Sequence, residues 1–285
     1  MPLLATSWRI AYRVIRIIGG FMRAHDIEYQ LFGDDMQFVE IELDPKESVL
    51  AEAGAMMYME MGVDMATIFG DGTEQPGGGI MGKLMGAGKR VITGESLFMT
   101  QFTNNSSDRK KVAFAAGYPG KILSVDLTEY GGRLIAQKDA YLCSAMGISI
   151  GIAFQKKIGI GFFGGEGFIM QKLEGDGLAF LHAGGTIIEK ELASGEVIKI
   201  DTGCLVALTG SVDYNIEMVK GIKSAVFGGE GLFLATLKGP GKVWLQSLPF
   251  SRMADKILSS ARAHGGSSKG EGSLLGTLGN MLDGK

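Results

Sequence analysis

Histidine and cysteine are scarce in this chain, with 3 His and 2 Cys among 285 residues. Neither Cys143 nor Cys204 lies in a CxxC or a Cys/His ligand spacing, which argues against a zinc site and predicts buried, reduced thiols. His182 lies in the phrase AFLHAGG, without a serine or cysteine motif that would recruit it as a base. We therefore expect His182 to be a hydrogen-bonded strand histidine.

The motifs of common enzymes are also missing. There is no GxSxG, no HExxH and no paired acidic signature at helical spacing. Residues 82–90 contain glycines and Lys89 but not the order GxxxxGK[ST], and the phrase FGGEG has no helix after it, which excludes phosphate loops and dinucleotide folds. The sequence predicts a protein that is not an enzyme and holds no cofactor.

Long apolar runs and an excess of positive charge are absent as well. No segment reaches the length of a membrane-spanning helix. The net charge is −3 and the pI is about 5.7, which argues against a general nucleic-acid or anionic-lipid surface. With 46% hydrophobic and 21% charged residues, the composition fits a globular cytoplasmic protein with a substantial core.

Internal repetition is what the sequence does have. The phrase GESLFMTQF at 94–102 recurs as GEGFIMQKL at 165–173 and as GEGLFLATL at 229–237. Residues 42–59 also align without a gap on residues 191–208. Self-similarity of this kind predicts one repeated unit, with copies at about 36–128, 131–192 and 195–256.

The periodicity inside each copy is that of β-strands. Alternating or apolar runs of strand length, such as MQFVEIEL at 36–43 and TIIEKEL at 186–192, are separated by glycine-rich turns. An antiparallel all-β sandwich or barrel, built three times, follows from this pattern. Helical periodicity is confined to short segments near the termini, at 7–18 and 252–263.

Three segments lie outside the repeated unit, which leaves 24–256 as one three-repeat β domain. Residues 1–23 contain four arginines and no acidic residue, which fits a basic amphipathic extension, a targeting or membrane-surface segment, or a mis-assigned start. Residues 70–90 are a glycine-rich insertion in the first repeat. Residues 257–285 comprise the end of a helix and a flexible Gly/Ser tail with an apolar patch.

Five phrases in order, GESLFMTQF, AAGYPGKILSVDL, FGGEGFIMQKLEGDG, LASGEVIKIDTGCLVAL and FGGEGLFLATLKGPGKVWLQSLP, resemble a known family. It comprises uncharacterised bacterial proteins related to the mitochondrial biogenesis (altered inheritance of mitochondria) protein. The resemblance implies a fold similar to the tryptophan RNA-binding attenuation protein, with β-sandwich repeats forming a prism about a pseudo-threefold axis. It carries over no catalytic residues, and it implies a mitochondrial location if the source is eukaryotic.

Three glutamates are the candidate ligands. Glu95, Glu166 and Glu230 occupy the same position in the three GE phrases, so an axis would bring three carboxylates together around a divalent metal. A structural role competes with this one, because a Glu at a strand entry accepts local backbone N–H bonds. We predict the structural role and no metal.

The leading functional hypothesis is a non-enzymatic β-scaffold that works by protein association, with copies of itself among the expected partners. Met56, Met57, Met59, Met61 and Met65 are predicted to fill the core for the most part, the rest forming an adaptable contact patch. Leu142, Leu205 and Met56 are aligned and expected to be buried.

Three alternatives stay open. The protein could be a membrane-associated organising protein, peripheral to the bilayer through its N-terminus or tail, or a small-molecule or divalent-metal binding β domain. RNA binding follows only by fold analogy, since the basic residues at 109–111 and 156–157 read as hairpin tips without aromatic neighbours.

Overall fold

The computed structural model describes residues 24–69, 98–156, 167–218 and 233–264. Almost all regular structure in these ranges is antiparallel β-sheet, so the all-β prediction is confirmed. The helix predicted at 252–263 is present as α1 (Phe250–His264). Within these ranges no helix has the length and apolar character needed to cross a bilayer. The segments 1–23, 70–90 and 265–285 lie outside the described residues, as do Glu95, Glu166 and Glu230.

The nineteen strands of the described ranges fall into three blocks of six, preceded by β1 (Glu28–Phe32). The first block comprises β2 (Phe38–Leu43), β3 (Ser48–Glu52), β4 (Met56–Met59), β5 (Val63–Phe69), β6 (Phe98–Asn104) and β7 (Lys110–Ala115). The second comprises β8 (Gly120–Asp126), β9 (Arg133–Gln137), β10 (Tyr141–Ala145), β11 (Ser149–Lys156), β12 (Phe168–Glu174) and β13 (Leu178–Gly184). The third comprises β14 (Ile187–Leu192), β15 (Val197–Asp201), β16 (Leu205–Thr209), β17 (Asp213–Met218), β18 (Phe233–Lys238) and β19 (Gly241–Gln246).

One pairing scheme recurs in all three blocks. The sixth strand pairs with the first and the third, and the fifth strand pairs with the second and the fourth. The sheets are β1-β2-β7-β4, β5-β6-β3-β10-β13-β8, β11-β12-β9-β16-β19-β14 and β15-β18-β17. The later blocks begin at Gly120 and Ile187, earlier than the predicted boundaries at 131 and 195, because the aligned phrases start at the end of a block's first strand.

A β-bulge also recurs at the third strand of each block. The register shifts between Met56 and Tyr58, between Tyr141 and Cys143, and between Leu205 and Ala207. These shifts make Met56, Tyr141 and Leu205 equivalent, so the predicted alignment was one residue out at Leu142. The repeated bulge bends the third strand at the same position in each block, so the three blocks share this detail of backbone geometry as well as their strand pairing.

Two junctions link neighbouring blocks. At β3·β10, Ala51 lies opposite Cys143, and at β9·β16, Ala136 lies opposite Ala207. A third junction of this kind would pair β15 with β4, but each of these strands ends its own sheet in the described structure. The pseudo-threefold axis therefore stays a prediction.

The core consists of two clusters of buried side chains. The larger is built mainly by the first two blocks and the smaller mainly by the third. The largest fully buried side chains include Trp244, Phe102, Phe114, Phe168 and Phe180, each of which contributes about 1.5–3 kcal/mol by leaving water. Both cysteines are free thiols; the predicted burial is confirmed at Cys143, whereas Cys204 is half-buried.

Candidate functional site

An exposed apolar surface follows β4 and the turn after it. We call it the methionine surface; it comprises Met56, Met57, Tyr58, Met59, Met61 and Met65. Met57 is 55% exposed, Met65 53% and Met61 91%. Exposed apolar residues usually occur singly, so six of them between residues 56 and 65 make this stretch a candidate interaction site.

The neighbours of β4 explain this exposure. In β10 and β16 the equivalent residues are buried because β3 and β9 pair along their second edge. β4 pairs only with β7, and within the described ranges no strand covers its other edge. The predictions that most methionines fill the core and that Met56 is buried were therefore wrong, since burial here depends on a neighbouring strand as well as on alternation.

In the part of the chain that the structure describes, β15 has the complementary free edge. Its equivalents β3 and β9 place Leu50 and Ile135 in the core, whereas β15 has the exposed Lys199 at that position. Because burying an unpaired ammonium is costly, any strand that pairs with β15 must leave the ammonium of Lys199 in water. The substitution is visible in the sequence, but its meaning depends on the register.

The solvent face of the first sheet is held by hydrogen bonds around Glu40. Lys111 Nζ lies 2.6 Å from Glu40 Oε1, and the Tyr58 hydroxyl donates to Glu40 Oε2. Desolvation opposes ionisation of Glu40, but the bonds from Lys111 and Tyr58 lower its pKa overall. The bond to Glu40 raises the pKa of Tyr58 to about 12, so Tyr58 stays a neutral, anchored member of the methionine surface.

The basic hairpin tip at 109–111 is paired with carboxylates. Arg109 donates to Glu28 at 2.9 Å and to Glu42 at 2.8 Å, and its Nε lies 2.7 Å from Asp44. The hydrogen bond to Glu42 and the charges of Glu28 and Asp44 raise the pKa of Arg109 further. Since Arg109 is held by three acidic side chains, it is poorly placed to bind phosphate.

A small cavity of about 210 Å³ lies beside β10 and β13. His182, Glu52, Tyr118, Asp139 and Tyr141 are among its lining residues. His182 is only 2% exposed, and within the described structure its Nδ1 has no hydrogen-bond partner. The expectation of a satisfied strand histidine was therefore wrong at Nδ1. Tyr118 packs on the His182 ring, with the two ring centroids 4.5 Å apart and the ring planes nearly perpendicular.

The third block shows how such a position is satisfied elsewhere. Gln246 is equivalent to His182; it accepts from Gly184 N–H at 2.8 Å and donates to Gly203 O at 2.8 Å. A histidine cannot reproduce this bridge, because its two ring nitrogens point in different directions from the amide O and N. An acceptor or donor brought by a ligand would satisfy Nδ1.

Burial shifts the titration of the groups around this cavity. It lowers the pKa of His182 to about 4, which keeps the ring neutral at pH 7. Burial, with the charge of Asp139 second, raises the pKa of Glu52 to about 7, although part of that side chain reaches solvent. Sequence reasoning missed Glu52 and Tyr118, since nothing in their local pattern points to a shared cavity.

Metal binding finds no support in this part of the molecule. Among residues 24–69, 98–156, 167–218 and 233–264, no group of three or more His, Cys, Asp or Glu is placed to hold an ion. Glu95, Glu166 and Glu230, the three predicted candidates, lie outside these ranges. Their structural role stays a prediction.

Comparisons with known proteins give one family. The profile of the family described as "Mitochondrial biogenesis AIM24" matches residues 29–248. An uncharacterized protein of Streptococcus pyogenes serotype M6 is 33% identical over 228 residues, which are 78% of this chain and 86% of that relative. A crystal structure of a Streptococcus pyogenes protein is similar at a TM-score of 0.64 and 26% identity, covering 82% of this chain and 99% of that one.

Proposed function

The chain belongs to the mitochondrial biogenesis AIM24 family, and from this premise we propose that it is a non-enzymatic β-scaffold that acts by protein association. One observation carries the proposal: no described strand covers the outer edge of β4, which carries the methionine surface, whereas β3 and β9 cover the equivalent strands β10 and β16. A strand with unpaired backbone groups is a template for a further strand, and native proteins seldom leave one both apolar and uncovered.

The chemistry of the surface suits association. Methionine side chains are flexible and polarisable, so they adapt to a partner of imperfect shape. Covering one such side chain fully contributes about 1.5–3 kcal/mol, and several covered in part would supply the apolar share of a moderate interface.

The partner we propose is β15 of a second copy, because third and second strands already pair at two junctions within the chain. Carrying over the registers of those junctions places Tyr58 opposite Ile200 and Met59 opposite Lys199. The methylene stem of Lys199 would lie on the methionines while its ammonium reaches water. A lysine at this edge also discourages non-specific strand pairing.

Light scattering over a range of concentrations tests the proposal. The wild-type chain should have a mass above its monomer value of 30.3 kDa, and Met57→Lys should lower the association constant by about tenfold or more. Ile188→Lys is the matched control, since Ile188 is 49% exposed on another surface. A monomeric wild type, or an equal effect of both variants in chains whose circular dichroism shows normal folding, would refute association through β4.

Small-molecule binding is a second candidate, supported by the orphaned Nδ1 of His182 in its cavity. Native mass spectrometry of the purified chain would look for a retained small molecule. His182→Gln, which copies Gln246, should release it, whereas a wild type that holds nothing would count against this candidate.

The remaining alternatives depend on other parts of the chain. A membrane-organising role rests on residues 1–23 and the tail, and co-sedimentation with liposomes of the full chain and of a chain starting at Met22 would test it. RNA binding rests on fold likeness, and the three carboxylate partners of Arg109 weaken it. A cytoplasmic location accompanies the scaffold proposal.

A further inference from the structure

The methionine surface presents thioether side chains to water. Met57 is 55% exposed, Met61 91% and Met65 53%, whereas Met99 is 3% exposed and Met170 is fully buried. A small oxidant dissolved in water can therefore reach the first three residues, while the core shields the last two. Oxidation of sulfur is a chemistry that this surface offers and that these two core methionines do not.

Aliphatic side chains serve at equivalent positions of the third block. Val206 stands at the bulge position of Met57 and Leu208 at the position of Met59, and both are fully buried. The fold thus accepts residues without sulfur at these positions. What methionine adds, beyond its flexibility, is a sulfur atom that can be oxidised and then reduced again.

We infer that the methionine surface is a reversible oxidation site whose state controls association through β4; the control of association rests on the function proposed above. The oxidant is a peroxide, of which hydrogen peroxide is the simplest. A lone pair of the thioether sulfur attacks one peroxide oxygen, the O–O bond breaks and an S–O bond forms. The second oxygen leaves as water with both protons, so the sulfur loses the two electrons that the peroxide gains.

The product changes what the surface can bury. A sulfoxide is polar and chiral, and its oxygen accepts hydrogen bonds. A strand that covered β4 as β9 covers β16 would enclose Met57 as Val206 is enclosed, and Val206 belongs to a hydrophobic cluster. Burying the sulfoxide oxygen there without a donor is unfavourable, so the oxidised surface should stay in water. Methionine sulfoxide reductases, one for each epimer, return the sulfoxide to the thioether, which makes the change reversible.

Peptide mapping by mass spectrometry after graded doses of hydrogen peroxide tests the site itself. Met57 and Met61 should each gain the mass of one oxygen atom at doses that leave Met99 and Met170 unchanged. Met36, which is 72% exposed and lies on the other side of β7 from β4, is the internal standard. Association should slow the oxidation of Met57 relative to that of Met36 as the protein concentration rises. Oxidation of Met57 no faster than that of Met99 would overturn the site.

Light scattering separates the oxidative control from the association on which it rests. The reduced wild-type chain should associate, peroxide should lower its association constant by about tenfold or more, and both sulfoxide reductases together should restore it. A reduced chain that is monomeric would refute the association and the control with it. A reduced chain that associates, and whose association constant peroxide leaves unchanged, would refute the control alone.

Leucine variants assign the effect to the methionine surface. Replacing all five of its methionines by leucine keeps the surface apolar and removes its sulfur, so this variant should associate and should no longer respond to peroxide. Met36→Leu is the matched control and should respond as the wild type does. Circular dichroism before and after peroxide checks that each chain stays folded. Dissociation by peroxide that persists in the five-leucine variant would place the sensitive residue elsewhere and overturn the proposal.

Discussion

Met57 and Val206 occupy the same bulge position in their blocks, yet Met57 is 55% exposed and Val206 is fully buried. The difference lies in the adjoining strand, because β9 covers β16 and no described strand covers the outer edge of β4. The same bulged strand is thus buried in one block and exposed in another.

Equivalent positions should therefore differ in their cost of truncation. Leu205→Ala removes a fully buried side chain and should lower the free energy of unfolding by about 2–5 kcal/mol. Met56→Ala, at the equivalent position but 36% exposed, should cost about 1 kcal/mol or less. Urea denaturation measures both. Equal losses would mean that β4 is covered in solution.

Asn104 should be a stability centre of the first block. It is fully buried; its amide donates to Leu43 O at 2.9 Å and to Asp108 O at 2.8 Å, and its Oδ1 accepts from Ser106 N–H at 2.9 Å. Asn104→Ala would leave these groups without partners and should cost about 2–4 kcal/mol. The neighbouring Asn105→Ala, on an exposed side chain, is the control and should cost under about 1 kcal/mol in the same denaturation series.

His182 should make the fold sensitive to acid. Burial lowers the pKa of His182 to about 4 in the folded chain, below its unfolded value, so the unfolded state binds more protons as the pH falls from about 6.5 to 4. Stability is lost over that window, by on the order of 2–3 kcal/mol from this residue. His182→Gln should make the free energy of unfolding, measured by urea unfolding from pH 7 to 4.5, depend less on pH. An unchanged slope would show that the ring is not buried.

Glu52 should act in the opposite direction. Burial raises the pKa of Glu52 to about 7, so the folded chain holds a proton on Glu52 at a pH where the unfolded chain has released it. The stability that this proton contributes is lost as the pH rises from about 4.5 to 7. Because part of the side chain is exposed, the loss in the free energy of unfolding is about 1 kcal/mol. Glu52→Gln should gain stability relative to wild type between pH 4.5 and 8; a constant difference over that range would contradict the raised pKa.

The sequence was sufficient for the all-β class, the family and the terminal helix, because these rest on local periodicity and repeated phrases. It was insufficient for Met56, whose exposure depends on whether a strand far along the chain pairs beside it. Lys199 carried a readable signal, since it aligns with Leu50, but only the register shows that it faces a free edge. His182 carried none, because its surroundings come from Glu52, Tyr118 and Tyr141, which are distant in sequence.

Disulfide cross-linking of β4 to β15 tests the central claim most directly. Met59→Cys and Lys199→Cys, each in a Cys204→Ser background, are mixed and oxidised, and the mass is read on a non-reducing gel. Residues opposite each other in neighbouring strands have the separation that a disulfide requires, whereas Glu60→Cys is one residue out and should cross-link poorly to Lys199→Cys. We predict a covalent pair of 30.3 kDa chains from the mixture of single variants. No covalent pair from the mixture, together with an internal cross-link of unchanged mass in the Met59→Cys/Lys199→Cys double variant, would contradict association between copies and show that the strands pair within one chain.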